Sequence, residues 1–178
     1  MTARGHCILS HGFESGPDAT KVTALAEVAD RLGWSHERPD YTGFDARREA
    51  GRHGDVAARL GHLQTLAAAR AARGPLVLAG SSLGAWISGR VSLQVPVRAL
   101  FLMAPPVNLA AAHPLQAAEI PTVIIHGWGD ELIPAADVVA WAAPRGDRLL
   151  LVDDDHRLST HVETSAALFE ALLSSLAP

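Results

Sequence analysis

At 178 residues, 48% of them hydrophobic and 19% charged, the chain is long enough to bury one good core and too apolar to stay disordered. A formal charge of -4, with both signs interspersed, excludes the basic footprint of a nucleic-acid-binding protein. One cysteine, Cys7, excludes an intramolecular disulfide and a cysteine-based metal cluster, and its place in an apolar run marks it as a buried structural thiol.

Met1 to Gly5 lead into a first strand-length apolar run, His6 to Ser10, which is too short for a signal-peptide core or a membrane span. The expectation is therefore a cytoplasmic protein with no membrane partner. Thr20 to Leu32 repeats Val22, Leu25, Val28, Ala29 and Leu32 close to a helical period. A weaker strand candidate surrounds Ser35 to Pro39. Asp45 to Arg73 is a long Ala/Arg/Leu stretch that predicts helix, with Gly51, Gly54 and Gly61 as candidate breaks. Arg47, Arg48 and Arg52, interrupted by Glu49 and Asp55, read as a solvated face of that helix. Leu76 to Ala79 predicts a strand, Leu83 to Val91 a helix, Ala99 to Ala104 and Thr122 to His126 two further strands, and Ala135 to Ala142 another helix. Leu149 to Val152 is the last strand and Thr160 to Leu176 the last helix. Ser159 or Thr160 is its candidate cap, with Glu163 completing a capping box in the second case.

Most of these runs are apolar at successive positions, which suits strands covered on both faces of a parallel sheet. Strands alternating with helices imply right-handed crossovers that place helices on both sides. No repeat, low-complexity tract or linker interrupts the pattern, so residues 1–178 are expected to form a single domain.

Between the third strand and the following helix stands Gly80-Ser81-Ser82-Leu83-Gly84. In a G-x-S-x-G turn the serine sits on strained backbone so that its hydroxyl stands clear of the sheet, and the flanking glycines, Gly80 and Gly84, remove side chains that would clash. Ser82 is the candidate nucleophile. Ser81 is off centre, and the bland alternative is a polar turn at a strand–helix junction. A serine hydroxyl needs a base within hydrogen-bond reach, and the base needs an orienting carboxylate. Asp130 lies in Gly127-Trp128-Gly129-Asp130-Glu131-Leu132-Ile133-Pro134, a turn just past a strand, with Glu131 as rival and an ordinary surface turn as alternative. His156 lies in the loop after the last strand, and His161, placed in the first turn of the last helix, is its competitor. Asp153, Asp154 and Asp155 shape that loop, raise the basicity of the imidazole or are solvated turn residues; they lack the glycine and glutamate spacing of a calcium loop, so no metal is expected.

A tetrahedral intermediate needs two amide donors for its oxyanion. These are expected from Leu83, just after the serine, and from Phe13 in the loop Ser10 to Pro17, where Gly12 permits the turn and His11 reads as structural, with a second base as the alternative. Trp86, Val107, Leu109, Trp128, Leu132 and Ile133 are candidates for an apolar acyl pocket, with plain packing as the competing role.

Together, His11-Gly12-Phe13, Gly80-x-Ser82-x-Gly84, His126-Gly127-x-x-Asp130 and Asp155-His156-Arg157-Leu158 resemble the α/β-hydrolase superfamily across almost the whole chain. Within it, His11-Gly12-Phe13-x-Ser15-x-Pro17 with Lys21 looks like small bacterial single-domain esterases, and the Asp155-His156-Arg157 ending is similar to compact palmitoyl-protein thioesterases. The resemblance implies a three-layer α/β-hydrolase fold, a serine, acid, histidine order along the chain, and no cofactor. Larger members begin with a hairpin where this chain has only Met1 to Gly5, which implies a trimmed sheet of about six mostly parallel strands. The short Pro105 to Ile120 segment implies no large cap. The expected function is hydrolysis of a small-molecule carboxylic ester or thioester by a monomer or small homo-oligomer. The alternatives are a non-catalytic ligand- or protein-binding module and another chemistry on the same fold, although a dehalogenase would want a carboxylate where Ser82 stands.

Overall fold

The structure is a computed structural model that describes residues 3–109 and 113–176. Six strands form one parallel sheet in the order β2-β1-β3-β4-β5-β6. They are β1 (His6–Ser10), β2 (Ser35–Glu37), β3 (Leu76–Ser81), β4 (Ala99–Met103), β5 (Thr122–Gly127) and β6 (Arg148–Val152). The central strands β3, β4 and β5 are buried at every position, as their unbroken apolar runs imply, whereas the edge strands β2 and β6 are partly exposed.

Side chains alternate across the pleat into two cores. Cys7, Leu9, Val77, Ala79, Phe101 and Ile125 face helices α1 (Thr20–Arg31) and α6 (Val162–Ser175). Ile8, Leu78, Leu100, Leu102 and Ile124 face α3 (Val56–Ala71), α4 (Leu83–Ser92) and α5 (Ala135–Ala142). A short α2 (Thr42–Asp45) precedes α3. The outcome is the expected three-layer arrangement with helices on both faces. Among the described residues, no helix is long and apolar enough to cross a membrane.

One of the candidate breaks is realised, and two local expectations are corrected. Asp45 to Arg73 is not one helix: after α2 come a 3-10 turn at Arg48–Ala50 and a loop, and α3 starts at Val56 with Asp55 accepting a bond from the Ala58 amide at 2.9 Å. Gly54 makes the break, with φ +68 and a backbone pressed against Phe44 and Asp45, while Gly61 continues inside α3. Arg47, Arg48 and Arg52 therefore lie on a turn, where Arg48 stacks on Phe13 and pairs with Glu14. The last helix starts at Val162, with no side-chain cap, because the Thr160 hydroxyl donates to Asp154 at 2.7 Å instead.

The order of the strands places the functional edge. From β1 the chain moves outward to β2, then returns past β1 to β3 and continues through β4, β5 and β6. The carboxyl ends of β1 and β3 are neighbours, Ser10 opposite Gly80. The chain leaving β1 enters α1 on one face, and the chain leaving β3 enters α4 on the other. Such a reversal opens a crevice at the strand ends.

Phe169 of α6 is fully buried, with its ring 5.2 Å from that of Phe101. Phe169→Ala is expected to destabilise the protein by about 3–5 kcal/mol, read as a lower urea midpoint at unchanged slope.

Candidate active site

Ser82 follows β3 directly and has φ 51 and ψ -120, a left-handed conformation costly for a residue with a side chain. Its backbone is over-determined: the amide donates to Met103 O at 2.8 Å, and the carbonyl accepts from Ala85 at 2.8 Å and Trp86 at 3.1 Å. A methyl group at Gly80 would overlap the backbone of Gly84, and one at Gly84 would overlap the carbonyls of Ser10 and His11. The glycines thus let α4 descend onto the end of β1.

Asp130 and His156 come from the loops after β5 and β6. The Asp130 side chain is fully buried; its Oδ1 accepts from the amides of Leu132 (2.9 Å) and Ile133 (2.8 Å), and its Oδ2 accepts from His156 Nδ1 at 2.7 Å. Burial alone would raise its pKa, but the bonds from His156 and these amides outweigh it and hold the carboxyl below its usual range. With the imidazole proton held on Nδ1, Nε2 is an acceptor, and it receives the Ser82 hydroxyl at 2.9 Å. Glycine again allows the approach, since a side chain on Gly127 would strike the backbone of Asp154 and Asp155.

The competitors stand elsewhere. Ser81 is the last residue of β3 and makes no bond to His156. Glu131 meets only the His156 backbone amide, at 3.4 Å. His161 precedes α6 and donates to Asp154 at 2.9 Å. His11 uses both ring nitrogens, Nδ1 donating to Gly12 O at 2.8 Å and Nε2 accepting from the Tyr41 amide at 3.0 Å, and burial lowers its pKa, so it is not placed as a second base.

The amides of Phe13 and Leu83 make no hydrogen bond within the described residues, and both residues border the same cleft as Ser82 and His156. That cleft encloses about 930 Å³. Of the six acyl-pocket candidates, Leu109, Leu132 and Ile133 line it. Trp86 and Val107 are packed in the core around α4, and Trp128 is 64% exposed and does not border the cleft. Residues 104–121, between β4 and β5, contain no helix among the described residues, so the cleft carries no helical cap there.

A crystal structure from Xanthomonas campestris pv. campestris, of a protein assigned to the α/β hydrolase superfamily, matches with 63% identity and a TM-score of 0.96, covering 97% of this chain and all of that one. The chain belongs to the α/β hydrolase superfamily. A second Xanthomonas campestris structure, described as an α/β serine hydrolase without a lid, matches at 18% identity and TM-score 0.69, over 99% of this chain and 86% of that one. Est1E from Butyrivibrio proteoclasticus matches at 15% identity and TM-score 0.73, over 97% and 88%. At such identities the last two show the fold alone. A scan of protein-family models and a search of curated proteins gave no match.

The structure of this α/β hydrolase superfamily member also gives contacts to two residues to which the sequence patterns assigned no role of their own. Lys21 donates to Arg157 O at 2.6 Å, tying α1 to the histidine loop, and burial pushes its pKa down to about 8. Arg59 is completely buried behind His11 beside Asp45. Its signal was its spacing: with Leu63 and Ala67 it makes the i, i+4, i+8 stripe that α3 turns to the core.

Asp154 anchors the histidine loop. Burial opposes its charge, but bonds from His161, the Thr160 hydroxyl, and the amides of Asp155 and Thr160 prevail and bring its pKa down to about 2. A depressed carboxyl contributes stability above its unfolded range that is lost as pH falls through its folded value. The Tm gap between the wild type and Asp154→Asn is expected to be full at about pH 6 and to close between about pH 4 and pH 2, followed by thermal denaturation across that range.

Proposed function

We propose that this protein is a serine hydrolase that cleaves a carboxylic ester or thioester through an acyl-enzyme on Ser82, acting as one domain over residues 1–178. The observation that carries the proposal is the unbroken line of hydrogen bonds from Asp130 through His156 to Ser82, at 2.7 and 2.9 Å. These distances match what a carboxylate, a base and a hydroxyl nucleophile require. Further support comes from the left-handed Ser82, from the two unengaged amides at the cleft, and from the 63%-identical relative assigned to this superfamily.

In the proposed reaction Ser82 Oγ attacks the substrate carbonyl while its proton passes to His156 Nε2. The carbonyl π pair moves onto oxygen, which the amides of Phe13 and Leu83 hold. Asp130 remains ionised and stabilises the imidazolium. Collapse of the tetrahedral intermediate breaks the bond to the alcohol or thiol, which leaves with the proton from His156. Water then attacks the acyl-enzyme, giving its proton to His156, and the carboxylic acid is released as Ser82 is reprotonated. Leu109, Leu132 and Ile133 provide apolar walls for the substrate.

A fluorophosphonate probe is expected to label Ser82, located by mass spectrometry, with labelling lost in Ser82→Ala. Turnover of p-nitrophenyl esters in that variant, or in His156→Ala, is expected to fall by at least about 10³-fold. A folded wild-type protein that binds esters without turnover and takes no label would instead be a binding module.

A further inference from the structure

The stripe that α3 turns to the core is Arg59, Leu63 and Ala67, and its first member is an arginine with no exposed surface. Its Nη2 donates to His11 O at 2.8 Å, and its guanidinium lies 4.4 Å from the centre of the Tyr41 ring. Nη1 approaches Asp45 Oδ1 at 3.2 Å, out of line for a hydrogen bond, so this contact is one of charge. Nε has no partner. An arginine buried with donors unaligned is a poor device for stability, because desolvation of its charge is repaid only by good geometry.

Its position in relation to the loop after β1 gives it another role. Asp45 Oδ2 accepts from the Glu14 amide at 3.2 Å. The ion pair therefore grips two peptide groups of that loop: His11–Gly12 through its carbonyl, held by Arg59, and Phe13–Glu14 through its amide, held by Asp45. Between them lies one peptide, Gly12–Phe13, whose N–H is the proposed oxyanion donor. Glu14 has φ 54, so the loop is held in a conformation that it would not adopt unaided. Tyr41 completes the frame: its amide donates to His11 Nε2 at 3.0 Å, and its hydroxyl and that of Ser10 share a bond at 3.0 Å.

We propose that the buried Arg59–Asp45 pair is a positioning device for the oxyanion hole, fixing the Phe13 amide in the orientation that a developing oxyanion requires. Neither residue touches substrate. This inference rests on the serine-hydrolase reading of the site and adds to it which residues preorganise one of the two donors.

The test uses the Arg59→Met/Asp45→Asn double variant. It removes both buried charges together, avoiding a stranded ion, and keeps an acceptor for the Glu14 amide. On p-nitrophenyl acetate, kcat is expected to fall about 10- to 100-fold, with KM changed by less than about threefold, because the donor is misdirected only in the transition state. The Ki of phenylboronic acid, which forms a tetrahedral adduct with an active serine, is expected to rise by the same factor as kcat falls. Arg59→Lys guards against misfolding of the double variant: its ammonium still faces Asp45 but lacks the fork that reaches His11 O as well, and a loss of about three- to tenfold in kcat is expected. Wild-type kcat in either folded variant would overturn the proposal, as would a fall in kcat with unchanged boronate Ki. In both cases a wild type that is labelled and active leaves the serine-hydrolase reading standing. A wild type that takes no fluorophosphonate, binds no boronate and hydrolyses no ester would remove that reading, and the positioning role with it.

Discussion

Helix α4 meets the end of β1 so closely that a methyl group at Gly84 would overlap the carbonyls of Ser10 and His11. The geometry of the cleft depends on that approach. It sets Leu83, the first residue of α4, against the loop that leaves β1, and so brings two amides from distant parts of the chain to one crevice. The parallel sheet makes the approach possible, because the reversal between β1 and β3 sends α1 and α4 to opposite faces and leaves the strand ends uncovered. Gly80 and Gly127 perform the same service for the elbow and for the acid and histidine loops. Three absent side chains thus determine how near the polar groups can come.

Backbone strain follows the same pattern. The described residues include four non-glycine positions with positive φ: Glu14, Ser82, Ala104 and Leu158. Each lies in a loop after the carboxyl end of a strand, those of β1, β3, β4 and β6, and Glu14 and Ser82 line the cleft itself. Positions of this kind cost of the order of 1–3 kcal/mol each and persist where surrounding contacts over-determine them. Ser82 is held by bonds to Met103, Ala85 and Trp86, Glu14 by Asp45 and Arg48, and Leu158 by the turn bond of its amide to Asp155 O at 3.2 Å. The regular sheet beneath carries little such strain and serves as the rigid base against which it is held.

Sheet and loops were legible in the sequence because they leave local signatures. A strand buried on both faces must be apolar at consecutive positions, so Leu76 to Ala79 and Thr122 to His126 identified themselves. The meeting of Ser82, Asp130 and His156 was legible because each lies in a loop that follows an apolar run, although the last of these runs, β6, is a partly exposed edge strand. Side chains that choose between equivalent partners were not legible. The Thr160 hydroxyl was a fair helix cap by pattern and instead serves Asp154, a choice set by the folded histidine loop. The arginines after Asp45 are exposed, as their pattern implies, but the stacking of Arg48 on Phe13, 35 positions away, arises only once β1 and α2 are in place. Trp86 and Trp128 are alike in hydropathy, but one falls on the buried helix α4 and the other on an exposed turn. Arg59 is the extreme case: its periodicity marks it as core and its chemistry as surface, and only the burial of Asp45 from another element reconciles the two.

The two buried carboxylates show why such a conflict is tolerated. Asp130 is surrounded by N–H donors from Leu132, Ile133 and His156, which keep it ionised despite burial. In the proposed reaction its partner His156 gains and loses a proton each cycle, so the carboxylate must keep its charge while the imidazole changes. Asp45 is treated differently: it accepts from one amide and faces Arg59 off line, and burial pushes its carboxyl above the usual range although Arg59 and the Glu14 amide oppose it. Its partner is a guanidinium that holds its charge throughout the accessible pH range, so no proton need move there. What that pair supplies is direction, a fixed positive end toward His11 O and a fixed acceptor toward Glu14 N. In the proposed reaction, then, one acid is matched to a group that exchanges a proton and the other to a group that keeps its charge. The full shell of protein N–H donors belongs to the first, where the proposed reaction changes the charge of the partner.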